Sequence, residues 1–446
     1  MNLSMKRKKL ILLGSKCMAL AMLFTAMATE HSQAQSVTII NKMPTDEEDV
    51  LAIYSNGYNG DSSTSIIFLE SSPAHFNSPD MPRFSIIGKE KQYYLGIGGY
   101  VKATVGMDFE GVIDNPTYFT TANIPMTETP GNGAKLQYSA ATTNLFMHFV
   151  GMPGTDNRFS AYVNANFTGS NNTPKLQYAY VMYRNFTIGY STSLFTDVNA
   201  GPPTIDQEGP SGWTFVRTYV LSYKRNWDNI GFGISAEMPN PNPTYNNFTH
   251  SVYQRIPDIP AYVQFMWGDY GSRVRLSGLL RNMMYRQYEL DALEAKNHNQ
   301  MGYGMQLSGN IGLGNMITFY YQGTYGKGIT SYFQDAAGQK LDMFPNQKAL
   351  NELATPEAWG GFVGLQFNIT ERVFASATYS QVRVLSNDGF YEPDYFKGSQ
   401  YFVANMFCRV KSNMLFGIEY LWGKRQNMDD GSNTANRIQT VARFNF

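Results

Sequence analysis

Cysteine and excess charge are what this sequence has least of, and each scarcity excludes a class of site. Its 446 residues include only two cysteines, Cys17 and Cys408. Cys17 falls in the leader described below, so no internal disulfide and no cysteine-based metal site is expected. Lys plus Arg and Asp plus Glu number 35 each. Without a net basic field to attract phosphates, no nucleic-acid partner is expected.

Long apolar runs are also missing, except at the N-terminus. A basic patch at residues 6–9 precedes the mostly apolar stretch 10–27, and small residues follow at 32–34. This order predicts a secretory signal peptide over residues 1–34. No later stretch reaches the roughly 20 apolar residues that a membrane helix needs. Residues 35–90 are then an N-terminal extension with one brief helical candidate near 46–54. A periplasmic arm, a lumen plug and a disordered leader are all open for this extension.

Signatures of catalysis are absent from the sequence. It has no phosphate-loop, HExxH or GxSxG motif, and its five histidines are scattered. His250 and Ser251 could serve a barrel-rim hydrolase, but adjacent residues rarely form a base and nucleophile pair, and no oxyanion-hole segment is visible. We therefore expect no enzyme, no catalytic residue, no cofactor and no metal.

What the chain does have is aromatics, glycine and a two-residue period. Tyr, Phe and Gly number 30, 29 and 40. In residues 272–285, Arg273, Arg275 and Arg281 fall on one parity, and Val274, Leu276 and Leu280 fall on the other. A strand with this pattern has one charged face and one apolar face. Tyr178 and Tyr180 are read as outward residues of an interfacial aromatic girdle.

Sixteen such strands can be assigned, and short links alternate with longer ones between them. This alternation is typical of an outer-membrane barrel, which has short periplasmic turns and long external loops. We predict strands at 93–109, 134–150, 157–169, 174–184, 186–194, 214–225, 228–238, 259–269, 272–288, 300–312, 314–327, 357–369, 371–385, 399–411, 413–425 and 436–446.

Hydrogen bonding explains why these strands would form a closed barrel. In lipid every backbone N–H and C=O must be paired within the protein, and among β arrangements only a closed barrel achieves this. The predicted fold is therefore an all-β, antiparallel transmembrane barrel of about 16 strands over residues 91–446. A barrel of this size holds water, so its charged parity faces a wet lumen.

The stretch TDVNAGPPTIDQEGPSGW, residues 196–213, is the third long connection. Its prolines and glycines exclude regular structure, and it resembles the third loop of general porins, which folds inward and narrows the channel. We predict that its acids face a basic wall across a constriction. The acids are Asp197, Asp206 and Glu208, the wall is Arg158, Lys175, Arg217, Arg273, Arg275, Arg281 and Arg443, and further lining residues are Tyr100, Lys102, Asn164, Tyr285 and Glu419.

A narrower resemblance lies in residues 186–212. This strand and its acidic, Gly- and Pro-containing loop resemble those of the DcaP-like porin family, and FVRTYVLSY resembles the strand that follows, with Arg217 at the loop base. YLGIGGYVKATVGMDF resembles the family's opening strand. The resemblance implies a trimer of sixteen-stranded barrels, some of which favour dicarboxylates or other anions. The loop positions that carry it are Ser191, Thr192, Phe195, Asp197, Pro203, Asp206, Glu208, Gly209 and Pro210.

Together these features favour a passive diffusion channel for small hydrophilic solutes in the outer membrane of a Gram-negative bacterium, with organic anions such as dicarboxylates preferred. Expected partners are outer-membrane lipid, the transported solutes, two further copies of the chain, and the barrel assembly machinery through the C-terminal Phe446. A barrel hydrolase and a plugged adhesive or structural barrel are the alternatives.

Overall fold

The computed structural model shows a closed antiparallel β-barrel. The predicted signal peptide, the helical candidate at 46–54 and most of the predicted extension lie outside the residues it describes. Within those residues, no helix is long and apolar enough to cross a membrane. The described residues are 76–77, 84–87, 92–127, 133–153, 155–268, 271–288, 295–385, 389 and 391–446.

Sixteen strand positions form the barrel wall, as the sequence predicted. The second position is occupied by two consecutive short strands, β3 and β4, that pair with different parts of β2. The wall strands are β2 (Tyr93–Glu110), β3 (Lys135–Ser139), β4 (Asn144–Gly151), β5 (Phe159–Asn166), β6 (Lys175–Tyr183), β7 (Phe186–Thr192), β8 (Arg217–Trp227), β9 (Ile230–Glu237), β11 (Ile259–Trp267), β12 (Ser272–Tyr288), β13 (Ala295–Leu313), β14 (Ile317–Lys327), β17 (Glu357–Asn368), β18 (Val373–Val384), β19 (Phe396–Lys411), β20 (Met414–Asn427) and β21 (Ser432–Asn445).

Small elements lie in the connections and before the first wall strand. Several connections contain short 3₁₀ turns or two- or three-residue strands and are otherwise irregular, and the four-residue β1 precedes β2. These elements are β1 (Phe84–Ile87), β10 (Thr249–Ser251), β15 (Phe344–Pro345), β16 (Leu353–Ala354), and the 3₁₀ turns Thr121–Asn123, Ser170–Asn172, Val198–Ala200, Thr330–Tyr332 and Ala337–Gln339.

The barrel closes where the last strand meets the first wall strand. β21 runs antiparallel to β2 from Asn445 opposite Tyr100 to Asn436 opposite Glu110. Phe446 continues the pairing, because its N–H donates to Gly99 O at 3.0 Å and its carbonyl accepts from the Gly99 N–H at 2.9 Å. This seam leaves no free edge along that part of β2, as closure in lipid requires.

β1 was not predicted, and it lies inside the segment expected to be an extension. Its residues pair antiparallel with β2, from Phe84 opposite Ile97 to Ile87 opposite Tyr94. The other edge of the same part of β2 is occupied by β4. β1 therefore lies in line with β21, just beyond Phe446, and covers the remainder of the seam.

The two faces of the strands differ as the sequence predicted. Leu276 and Leu280 of β12 are 48% and 59% exposed on the outside, whereas Arg273 and Arg281 are 3% and 2% exposed on the inside. One end of the barrel has the short turns, such as 184–185, 228–229 and 412–413, and we call it the short-turn end. The other end has the long connections.

A charge placed on the outer face of β12 should destabilise the barrel. We expect Leu276→Arg to lower the free energy of unfolding by about 2–4 kcal/mol, the cost of an arginine facing lipid near mid-depth. Denaturant unfolding in lipid vesicles, followed by tryptophan fluorescence, measures it. Leu276→Met is the matched control and should stay near wild type. Equal stability of the two variants would contradict the outward assignment of this face.

Candidate functional site

The 193–216 loop lies inside the barrel and packs against one side of the wall. Its residues Phe195, Ala200 and Thr214 are fully buried. At Gly212 the loop backbone approaches the wall so closely that a Cβ would come within 2.2 Å of Gln381 O and 2.4 Å of Gly361 N. A larger residue could not be accommodated there without moving the loop.

The start of this loop is fixed by a buried ion pair. Arg273 Nη2 of β12 lies 2.7 Å from Asp197 Oδ1, and both side chains are at most 4% exposed. Ser308 of β13 donates to the second carboxylate oxygen at 2.6 Å, and Arg275 donates to Leu194 O. Burial acts to raise the pKa of Asp197, but Arg273 and Arg275 outweigh it and hold that pKa below its usual value.

The tip of the loop is held on the neighbouring strands. The N–H groups of Ile205 and Asp206 donate to the carboxylate of Glu419 on β20, at 2.7 and 2.9 Å. Lys102 Nζ of β2 donates to Ile205 O at 3.0 Å. Asp206 turns back into the loop, where it accepts from the Gly209 N–H at 3.1 Å. The loop thus spans the lumen from β12 to β20.

Two other long connections fold inward, and a buried arginine fixes each of them. Arg281 of β12 contacts Asp258 at 3.0 Å and Asp342 at 3.3 Å, and so holds the 328–356 loop. Arg437 of β21 pairs with Asp108 and donates to Ile113 O at 3.0 Å, where the 111–127 segment begins. A buried arginine without a partner is costly, so the Arg281–Asp342 pair strongly favours the inward position of its loop, and the hydrogen bond from Arg437 to Ile113 O holds the other segment.

An open cavity of about 400 Å³ remains between the 193–216 loop and the opposite wall. Charge along it is uneven, because Lys175 and Arg217 are its cations and Glu208 its one acid among the described residues. The rest of the lining is amide, hydroxyl, aromatic and aliphatic. The lining residues are Asn77, Tyr100, Asn115, Tyr118, Thr120, Asn144, Asn164, Asn166, Lys175, Leu176, Gln177, Tyr178, Tyr190, Val198, Gln207, Glu208, Trp213, Phe215, Arg217 and Gln334.

Arg217 differs from the arginines that fix loops. Its guanidinium carbon lies 4.9 Å from the ring centre of Tyr178 and 4.5 Å from that of Phe215. Its Nε is buried without a hydrogen-bond partner. No described residue forms an ion pair with Arg217. The two rings hold the guanidinium in place through cation–π contacts, and no described residue accepts a hydrogen bond from it.

Glu208 is the titratable group most relevant to the cavity. Burial, followed by the nearby charges of Asp206 and Asp335, raises the pKa of Glu208 well above its usual value. Asp335 is itself buried, where the hydroxyls of Thr121 and Ser399 donate to its carboxylate, and burial raises its pKa to about 6. Glu208 therefore becomes neutral at a higher pH than an ordinary glutamate.

The structure separates the predicted site residues into two groups. Glu208, Lys175, Arg217, Tyr100 and Asn164 line the open cavity. The others are buried in contacts or lie elsewhere: Asp197, Asp206, Arg273, Arg275, Arg281, Lys102 and Glu419 hold the loops, Tyr285 accepts from the Leu353 N–H at 3.2 Å, Arg443 donates to Phe76 O at 2.8 Å, and Arg158 lies in the short turn before β5.

The sequence analysis expected Tyr178 and Tyr180 to face lipid, and this prediction was wrong. A register shift between Asn164 and Ala165 of β5 changes the parity of this part of β6, and Tyr178 lies opposite Asn164 in the lumen. Tyr180 lies against Tyr162, which is 2% exposed, with ring centres 5.4 Å apart. One extra residue in a strand reverses every side chain beyond it.

Several lining residues were not predicted, including Tyr118, Asn144, Trp213 and Phe215. Three of these lie in connections, where no periodicity marks a face.

His250 and Ser251, the residues considered for a barrel-rim hydrolase, do not line the cavity. Both are exposed on β10, and the His250 ring packs edge-on against Tyr288, with ring centres 5.1 Å apart. Within the described residues no group of His, Cys, Asp or Glu could hold a metal ion.

Breaking the ion pair at the loop base should release the loop. We expect Asp197→Ala to cost about 3–5 kcal/mol, because it leaves Arg273 buried and unpaired. Protease cleavage within 193–216 and denaturant unfolding measure the effect. Asp114→Ala is the control, since Asp114 pairs with Lys135 but is 82% exposed, and such pairs contribute at most about 1 kcal/mol. An equally small effect in both variants would contradict the assigned role of Asp197.

Ion selectivity should depend on pH through Glu208. Because its pKa is raised, the negative charge is present at high pH and is lost as the pH falls, which makes the cavity more positive. We expect reversal potentials in a salt gradient to shift toward anions, with a midpoint above the ordinary glutamate value of 4.5. Glu208→Gln should remove this step, whereas Glu371→Gln, in an exposed turn, should retain it. The same midpoint in Glu208→Gln would exclude Glu208 as its source.

Comparison with solved structures supports the fold. The outer membrane channel DcaP of Acinetobacter baumannii matches with a TM-score of 0.69 at 19% identity, covering 81% of this chain and 99% of that one. OmpT of Vibrio cholerae matches with a TM-score of 0.50 at 11% identity, over 81% and 100%. An anion-selective porin from Comamonas acidovorans matches with a TM-score of 0.50 at 8% identity, over 79% and 100%. At these identities the likeness establishes the fold alone.

No protein with a curated description matches this chain. The model of the DcaP outer membrane protein family matches residues 85–446, which is most of the sequence and includes every strand of the barrel wall. This match confirms the resemblance seen in the 186–212 segment and the predicted location in the outer membrane. The chain belongs to the DcaP outer membrane protein family of channel-forming barrels.

Proposed function

We propose that the protein is a passive diffusion channel for small hydrophilic solutes that prefers organic anions such as dicarboxylates. The observation that carries this proposal is Arg217, a guanidinium held between two rings on the cavity wall that has no acidic partner among the described residues. Arg273, Arg281 and Arg437 are all neutralised by carboxylates. Arg217 is therefore available to a solute where they are not.

The chemistry around Arg217 suits a carboxylate. A guanidinium binds a carboxylate with two parallel hydrogen bonds, and Lys175 supplies a second cation on the same cavity wall. A solute with two carboxylates could engage both cations, while the amides of Asn144 and Asn166 replace part of its hydration shell. Weak, distributed contacts of this kind allow a solute to enter and also to leave.

The volume of the cavity is compatible with a small solute. At about 400 Å³ it lies in the lower part of the range for small-molecule sites, roughly 300–1,000 Å³. Short-chain acids fit this volume, and folded polypeptides do not. The description of the Comamonas acidovorans porin as anion-selective shows that the same fold can support such a preference.

Assembly as a homotrimer, insertion in outer-membrane lipid and recognition of Phe446 by the assembly machinery are parts of the same proposal. The trimer rests on the family resemblance. Phe446 is paired with Gly99 at the closing seam. The same residue would therefore act as the assembly signal and take part in the contact that closes the barrel. The number of equal closure steps under voltage in the recordings described next tests the trimer.

Removing the two unpaired cations should reduce anion preference. We expect Arg217→Gln to shift the reversal potential of planar-bilayer channels toward cations and to weaken block of chloride current by succinate, with a larger effect in Arg217→Gln/Lys175→Gln. Arg184→Gln, in an exposed turn, is the matched control and should behave as wild type. If the double variant keeps wild-type selectivity and succinate block, these cations do not select the solute. If wild type fails to conduct, the channel proposal itself fails.

A further inference from the structure

We propose that the lumen contains a second binding site, near the short-turn end, that takes an aromatic peptide segment, and that its resident occupant is Phe76–Asn77 of the chain itself. The site holds this two-residue segment inside the barrel, and the segment masks Lys102 and Arg443 from solutes. The proposal concerns a different place from the cavity around Arg217. Only its electrical test rests on the proposed channel function.

One half of the site is apolar, which is unusual on an inward face. Phe374, Phe407, Leu415 and Val441 lie on four consecutive strands and are at most 9% exposed. Inward neighbours on the same strands, such as Ser376, are polar, as a water-holding lumen requires. Buried apolar side chains in this position need an apolar partner, because water would otherwise cover them.

Phe76 is that partner. Its ring centre lies 4.7 Å from the ring of Phe407 and 5.9 Å from that of Phe374, the second contact being edge-on. These distances are those of favourable aromatic pairs. Ile205, at the tip of the 193–216 loop, belongs to the same cluster. Phe76 and the tip of the 193–216 loop therefore share one apolar cluster.

The other half of the site binds the peptide backbone. Arg443 Nη1 donates to Phe76 O at 2.8 Å, and the Tyr100 hydroxyl donates to Asn77 O at 3.0 Å. Lys102 Nζ lies 3.5 Å from Asn77 Oδ1. Carbonyl and amide oxygens of the segment thus occupy donors on β2 and β21, on both sides of the closing seam.

The contact of Arg443 repeats the pattern of the other lumenal arginines. Arg275 donates to Leu194 O, and Arg437 donates to Ile113 O, and in both cases the acceptor belongs to a segment that is folded inward. Arg443 and Phe76 O have the same relation. By this comparison Phe76–Asn77 is an inserted element of the barrel interior, as the inward loops are.

Two consequences follow for transport. Lys102 and Arg443 are 3% and 7% exposed with the segment in place, so their charges are shielded from passing ions. Lys102 contacts Asn77 and also donates to Ile205 O. The Phe76–Asn77 segment therefore supports the tip of the 193–216 loop. Departure of the segment would widen the short-turn end and expose two positive charges.

Crosslinking tests whether the segment occupies the site. In a Cys17→Ser/Cys408→Ser background, Asn77→Cys/Lys102→Cys, which keeps the Phe76 ring and the Arg443 contact, should be joined by a short bifunctional thiol reagent in folded protein in isolated outer membranes. Ser211→Cys/Ser380→Cys is the positive control for a loop-to-wall contact, since the two hydroxyl oxygens lie 3.4 Å apart. Asn77→Cys/Leu276→Cys, with Leu276 on the outer face, is the negative control. Folding of each variant is checked by its heat-dependent gel mobility. Absence of the Asn77–Lys102 crosslink while the positive control reacts would overturn the proposal.

Conductance tests what the segment does. We expect Phe76→Ala to increase single-channel conductance and to shift the reversal potential toward anions, and Phe76→Leu to stay near wild type because it keeps an apolar side chain. In Phe76→Ala/Arg443→Gln the selectivity shift should be reduced while the conductance gain remains. Phe367→Ala, on the outer face, is the matched control. Wild-type conductance and selectivity in Phe76→Ala would overturn the masking role. Should no variant conduct at all, the channel proposal fails and crosslinking alone decides occupancy.

Discussion

Closure of the backbone hydrogen-bond ring is the constraint on which everything else depends. A lipid-facing strand edge with unpaired N–H and C=O groups is too costly to persist, so β21 must reach β2, and it does so through ten aligned residue pairs and the two bonds between Phe446 and Gly99. Once the ring is closed, alternate residues are committed to opposite solvents. The position of every arginine inside the barrel follows from that commitment.

The lumen that results is wide enough to hold several inward segments, and side chains of the wall keep these segments in place. Arg273, Arg281 and Arg437 each hold a different inward segment through carboxylates or carbonyls. Because these ion pairs are buried, losing one partner costs more than the pair contributes over two apolar residues. They are therefore best understood as devices that specify loop position. Arg217 is held by two rings and forms no ion pair with a described residue.

Much of the fold was predictable from the sequence because its signals are local. Sixteen alternating strands and unequal links at the two ends follow from residues a few positions apart, and the assigned strands agree with the structure to within a few residues. A basic wall facing the loop acids was predicted, but not that Arg273 would pair with Asp197 or that the loop tip would bind the acidic Glu419. Both residues are distant in sequence, and only the path of the loop joins them to it. Tyr178 was misassigned for a different reason: a single register shift reverses parity and leaves no trace in composition. β1 is too short to show a period.

Most wall contacts of the 193–216 loop lie on one arc of the barrel, and the open cavity lies against the other. Inward residues of β12 to β20 hold the loop, with Lys102 of β2 beyond them, while residues of β4 to β8 line the open cavity. Substitutions on the first arc therefore act on loop position and stability, whereas those on the second change the chemistry of the cavity wall. The cavity wall can thus be altered within one arc of the ring without disturbing the contacts that hold the loop on the other.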